Sequence, residues 1–181
     1  MVSENGHPFR YPTAMPHYNQ DRMSEITKVC DPNCPQTSDN PRDPKCGCYY
    51  SYNFTMNSIV QITMYNMFRQ HELLATPLTR CTFTWPCNAL NWTDTSWMNG
   101  NVPEMAKNPA LRDTITIPAG GYTVIRFRAS NPGWWIAHCH MLFHSMAGLG
   151  FAFRVGEPHE IPFPPVGFPR SCGNYEAPPL R

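Results

Sequence analysis

The sequence predicts an all-β chain folded as a Greek-key β-sandwich, and three observations lead there. Five short segments rich in β-branched and aromatic residues are separated by Pro and Gly turns. The third alternates, with Thr123, Ile125 and Phe127 on one face of an extended chain. The length, 181 residues, suits one domain plus tails and is enough for a sizeable core.

Taken in order, residues 1–50 are rich in Pro, Asn and Asp, lack sustained periodicity and are expected to be mostly irregular. Strands are expected over 54–66, 113–117, 122–129, 134–138 and 149–155, within a domain spanning 51–157. The fourth begins after the turn Asn131-Pro132-Gly133. One helical turn is expected over Met141–Met146. From residue 158 to 181 the many prolines predict an extended tail lying across the surface. Trp134, Trp135, Phe143, Phe151 and Phe153 are assigned to the core, because large aromatics dominate burial.

The richest segment is His138-Cys139-His140-Met141-Leu142-Phe143-His144, followed five residues on by Leu149. With 7 His and 8 Cys in the chain, three histidines and one cysteine fall at these offsets by accident about once in two thousand such sequences. Alternation along a strand sends Cys139 to one face and His138 and His140 to the other. One segment can thus serve two metal centres, joined by a covalent path of a few bonds. The spacing Cys139-x4-His144-x4-Leu149 is that of a blue-copper loop, in which one Cys and two His bind in a plane and Met often sits on the axis. Leu149 occupies the axial place and cannot coordinate, which favours Cu(I) and predicts a comparatively high reduction potential. A zinc site built from His138, Cys139, His140 and His144 is the rival. Alternating faces disfavour it, since all four reach one ion only through a sharp bend.

At these residues the chain resembles the C-terminal, cupredoxin-like (plastocyanin-like) domain of multicopper oxidases, closest to the laccase branch found in animals. The resemblance also runs through Tyr52–Ile62, Trp97–Pro103, Asp113–Tyr122, Asn131-Pro132-Gly133-x-Trp135 and Gly167-Phe168-Pro169, covering most of 50–67 and 81–174. It implies that His138 and His140 are ligands of the binuclear part of a three-copper cluster, and that Cys139 and His144 are ligands of the mononuclear blue copper. It also implies one-electron oxidation of phenols, aromatic amines or metal ions, coupled to reduction of dioxygen to water.

One part of the family pattern is absent. A second motif, His-Pro-x-His-x-His-Gly, is expected after the strand corresponding to Ile59–Asn66. Here that place holds Phe68-Arg69-Gln70-His71-Glu72-Leu73-Leu74-Ala75-Thr76-Pro77-Leu78-Thr79, with a single histidine. The family motif lies on a strand, so its loss predicts a missing strand, an unpaired edge and a partly uncovered core. His71 could replace the absent blue-copper imidazole; the alternative is a solvated loop histidine beside Arg69, Gln70 and Glu72. No His-x-His pair occurs outside His138 and His140, so the chain holds two of the eight cluster histidines the resemblance implies. It is therefore expected to be an incomplete C-terminal portion, inactive alone, whose remaining domains lie elsewhere. His7, His17 and His159, in Pro-rich surroundings, are assigned no role.

The cysteines suggest an oxidising compartment. Cys81 and Cys87 could pair, and Cys30, Cys34, Cys46 and Cys48 form a cluster with three possible pairings. A structural zinc in that cluster is the competing reading, and Cys172 is left over. Asn53-Phe54-Thr55 and Asn91-Trp92-Thr93 read as glycosylation acceptors. A secreted parent protein is expected, although the first residues show no signal-peptide core. Net charge is +1 with scattered basic residues, which suggests neither nucleic acid nor an anionic membrane, and no apolar run is long enough to span a bilayer.

Three readings stand. The chain is part of a laccase-like copper oxidoreductase, or a non-catalytic cupredoxin module binding at most one weak copper, or a structural zinc domain.

Overall fold

The computed structural model describes residues 7–13, 15–18, 23–30, 47–66, 110–119 and 122–168, together with the backbone of four short strands at 73–77, 81–83, 171–172 and 175–176. His71, Asn91, Cys34, Cys46 and Cys87, and the segment 97–103, lie outside the described residues. After a short helix α1 (Met23–Ile26), the strands are β1 (Ser51–Phe54), β2 (Ile59–Tyr65), β3 (Leu73–Pro77), β4 (Cys81–Phe83), β5 (Leu111–Arg112), β6 (Ile115–Ile117), β7 (Tyr122–Arg128), β8 (Gly133–Cys139), β9 (Gly150–Val155), β10 (Ser171–Cys172) and β11 (Tyr175–Glu176). Helix α2 (Leu142–Met146) joins β8 to β9, as the sequence predicts.

Two sheets carry the fold, ordered β1-β9-β8-β3-β6 and β2-β7-β4-β5, and β10 and β11 form a separate pair. All-β architecture is what the strand pattern predicts. Of the strand expected over 54–66, only 59–65 is one strand, β2, while residue 54 ends β1, which begins at Ser51, ahead of the expected bound. β1 pairs in parallel with β9 in the first sheet, whereas β2 pairs antiparallel with β7 in the second. No straight strand can belong to both, so the chain turns at 55–58. There Asn57 takes a positive φ of 62° and its N–H donates to the Ala129 carbonyl at 2.8 Å. Asn tolerates this left-handed conformation better than most residues.

The region expected to lack a strand also differs from expectation. β3 lies between β8 and β6, pairing Ala75 with Cys139, Thr76 with His138 and Leu73 with Ile117. The absent histidines therefore do not leave β8 without a neighbour. Backbone pairing needs only extended geometry and hydrogen-bonding groups, which Leu73–Thr76 supply without any imidazole.

Between the sheets Val60, Ile115, Ile125, Phe127, Ala137, Phe151, Phe153 and Val155 form the main core, with Phe54, Met64 and Trp135 against its margin. Thr123, Ile125 and Phe127 are buried together as the alternation predicts, and Tyr122 and Val124 on the opposite face are buried too. The Thr123 hydroxyl is fully enclosed and donates to the Thr116 carbonyl at 2.9 Å, tying β7 to β6. Of the five aromatics assigned to the core, Phe151 and Phe153 are buried, and Trp134 and Trp135 are half-buried. Phe143 is the exception, 83% exposed. It sits on a five-residue helix that carries no buried residue, so the helix offers no inner face on which to place it.

The N-terminal segment is irregular locally but not detached. Phe9 and Tyr49 bury against Ala152 of β9 in a second core cluster, and single bridges link Phe9 to Cys48 and Val29 to Tyr49. Cys30 and Cys48 form a disulfide, which selects one of the possible pairings and removes two thiols from the zinc alternative. Ile161 anchors the start of the tail, whereas Phe163 and Val166 are exposed. Among the described residues, no helix is long and apolar enough to cross a membrane.

Candidate metal centre

The site lies where β8 ends. Pairing with β3 on one side and β9 on the other fixes the rotation of β8 about its axis, and alternation then decides what each residue faces. Cys139 points inward, 4% exposed, into a small cluster with Ile117, Met64 and Leu149, and is a free thiol. His138 is half-buried and His140 exposed, with their rings stacked, centroids 6.3 Å apart and planes inclined by 23°. The two imidazoles thus approach each other while the thiol between them turns away.

His138 Nδ1–H donates to the Cys139 carbonyl at 3.0 Å. That tautomer leaves the lone pair on Nε2, the nitrogen then able to bind a metal. The hydrogen bond runs across the peptide unit that joins the two residues.

Helix α2 brings His144 back over the strand end. Its Nδ1 lies 3.6 Å from Cys139 Sγ. An ion about 2.3 Å from a thiolate and about 2.0 Å from an imidazole, at a bond angle between tetrahedral and trigonal, requires a sulfur–nitrogen separation of about 3.5–3.7 Å. The separation matches that of two ligands sharing one first-row metal ion.

Leu149 closes the loop. Its carbonyl accepts from Cys139 N–H at 3.0 Å, and its own N–H donates to the His144 carbonyl at 2.9 Å. The side chain packs in the Cys139 cluster, giving the thiol an aliphatic neighbour where the loop spacing predicts an axial group.

Two donors are not a complete centre. Among the described residues, no group of three or more His, Cys, Asp or Glu side chains gathers at one point. The β3 position opposite Cys139 is Ala75. β3 runs antiparallel to β8, so the chain enters it from the end of the sheet where Cys139 lies. Elsewhere, Asn53 is exposed on β1.

Several residues that touch the loop carry no local sequence signal. Tyr11 shares a 2.9 Å hydrogen bond with Ser145 across 134 positions, and Tyr50 donates its hydroxyl to the Gly150 carbonyl at 2.9 Å across 100.

Residues 82–159 match the family described as multicopper oxidase. Laccase-8 of Oryza sativa subsp. japonica is 45% identical over 69 residues, 36% of this chain and 12% of that protein. Laccase-11 of Arabidopsis thaliana is 48% identical over 69 residues, with the same shares. The chain thus spans about an eighth of the length of these relatives. Among solved structures, Fet3p, described as a multicopper oxidase that functions in iron import, superposes with a TM-score of 0.58 over 85% of this chain and 27% of its own, at 18% identity. At that identity the likeness speaks for the fold, which agrees with the two-sheet architecture.

Proposed function

Because this chain belongs to the multicopper oxidase family, whose members use copper, we propose that it contributes half of the copper-binding apparatus of a laccase-like oxidoreductase. Cys139 and His144 are ligands of a mononuclear blue copper, and His138 and His140 are ligands of a three-copper cluster. The observation that carries this reading is the 3.6 Å separation of Cys139 Sγ and His144 Nδ1 on an otherwise apolar, buried floor.

Copper bound there supplies one-electron transfer. The residues of the chain do the rest. Burial of Cys139 among Ile117, Met64 and Leu149 keeps water from the thiolate, and the backbone of Leu149 holds both donors in register. His138 and His140 flank Cys139 in sequence, so an electron arriving at the sulfur has a covalent route of a few bonds to either imidazole. The hydrogen bond from His138 to the Cys139 carbonyl offers a shorter branch of the same route.

In the whole protein the reaction is one-electron oxidation of a small phenol, aromatic amine or metal ion coupled to dioxygen reduction. The names of the plant relatives support the laccase-like class. Other domains of that protein supply further cluster histidines, whereas the second blue-copper imidazole belongs to the place of the absent histidine motif, where 68–79 offers only His71. Its place is extracellular, a reading supported by the Cys30–Cys48 disulfide and by exposed Asn53 as a glycan acceptor.

Titration of the purified chain with Cu(II), followed by visible absorption, tests the site. A visible thiolate-to-copper charge-transfer band is the expected result. A colourless protein that instead takes up zinc stoichiometrically overturns it.

Ala75 opposite Cys139 and the two-donor site favour a narrower second reading, a module that binds one weak copper and does not turn over alone. Oxygen uptake with a phenolic donor is the second measurement, and neither reading expects it of the chain alone. Uptake by the chain alone contradicts the count of ligands given above.

A further inference from the structure

The loop that carries His144 is not held by β8 and β9 alone. Residues 7–11, remote in sequence, run across it. Phe9 N–H donates to the Gly148 carbonyl at 2.9 Å, and the Tyr11 hydroxyl meets Ser145 Oγ at 2.9 Å. At Gly148 the approach is so close that a Cβ would stand 2.8 Å from both Phe9 N and Pro8 Cβ, and its φ of 100° disfavours other residues in any case.

The crossing segment is itself anchored. Cys48 N–H donates to the Pro8 carbonyl at 3.0 Å, and Arg10 N–H donates to the Cys48 carbonyl at 2.8 Å. Cys48 is disulfide-bonded to Cys30. The Phe9 ring is buried against Tyr49 and Tyr50, and Tyr50 reaches Gly150, just past the end of the loop.

We propose that residues 7–11 are a strap that fixes the His144–Leu149 loop over Cys139, making Phe9, Tyr11, Ser145 and Gly148 positioning residues of the metal centre. The physical case is that α2 has only five residues and buries none of them. So short a helix is marginal by itself and takes its place from contacts outside it. Two of the hydrogen bonds that supply this come from the strap, at both ends of the segment between His144 and Leu149. The structural part stands on geometry alone; its consequence for metal binding rests on the copper reading above.

The test uses the full chain with Tyr11→Phe, Ser145→Ala, the double variant and Gly148→Ala. In the metal-free protein, amide exchange at Gly148 and Leu149 should rise roughly tenfold in Gly148→Ala and less in the two hydroxyl variants, while Phe127 in β7 stays protected. The double variant should add nothing to either single one, because both remove the same bond. With Cu(II) bound, the charge-transfer band of the variants should shift or weaken relative to the unsubstituted chain. Unchanged exchange in the loop, or an equal rise at Phe127, overturns the strap. Should Gly148→Ala fail to fold, the hydroxyl variants decide. A chain that shows no band even without substitution sinks the copper reading, and the exchange measurements still decide the strap.

Discussion

Cys139 Sγ and His144 Nδ1 face each other at 3.6 Å, while His138 and His140 stack on the other side of the same strand end. The segment therefore sorts its donors by face, and the two faces are separable by substitution. Cys139→Ser and His144→Ala should each abolish the Cu(II) charge-transfer band. His138→Ala should leave it in place, because that ring lies across the strand. Loss of the band in all three variants would mean that the donors act on one ion, as the zinc alternative requires.

Leu149 packs in the cluster around the thiol and has no donor atom. In Leu149→Met a thioether enters that space and stabilises Cu(II), so the reduction potential of the copper-loaded protein should fall. Potentiometric titration of the visible band measures it. An unchanged or higher potential would place the axial direction elsewhere.

Phe153 is fully enclosed, with Phe54, Phe127 and Trp135 around it. Phe153→Ala should cost about 3–5 kcal/mol, since the cavity cannot be refilled without moving both sheets. Urea denaturation followed by tryptophan fluorescence reads the loss. A cost below about 1 kcal/mol would show that the two sheets do not close on this residue.

His17 is held below its usual pKa by burial, and its Nδ1 is enclosed without a hydrogen-bond partner. For a base, a depressed folded-state pKa means that the unfolded chain binds the proton more readily. Its stabilising contribution is thus present above about pH 6.5, the ordinary histidine value, and is lost as pH falls through the lower folded value. His17→Gln should flatten the decline of the thermal midpoint on acidification. An unchanged slope would show that His17 does not set it.

Much of the strand inventory is legible in sequence because β7, β8 and β9 are runs of β-branched, aromatic and apolar residues, with β7 and β9 buried on both faces over most of their length, and Pro and Gly mark their ends. What is not legible is the turn at Asn57. One β-rich run looks continuous whether it stays in one sheet or crosses to the other, and only the partners β9 and β7 reveal the difference. The same holds for β3, where the absence of a histidine motif says nothing about whether Leu73–Thr76 can still pair.

By itself, the sequence determined the set of donors, one thiol and three imidazoles, and extended geometry sends Cys139 to one face and His138 and His140 to the other. Tertiary structure decided what holds the loop. The meeting of His144 with Cys139 follows from a spacing of five residues, whereas the crossing of the loop by Phe9 and Tyr11 depends on residues brought together by sheet pairing and a disulfide. Local periodicity carries no information over separations of 134 residues, because what joins such positions is packing rather than the repeat of the backbone.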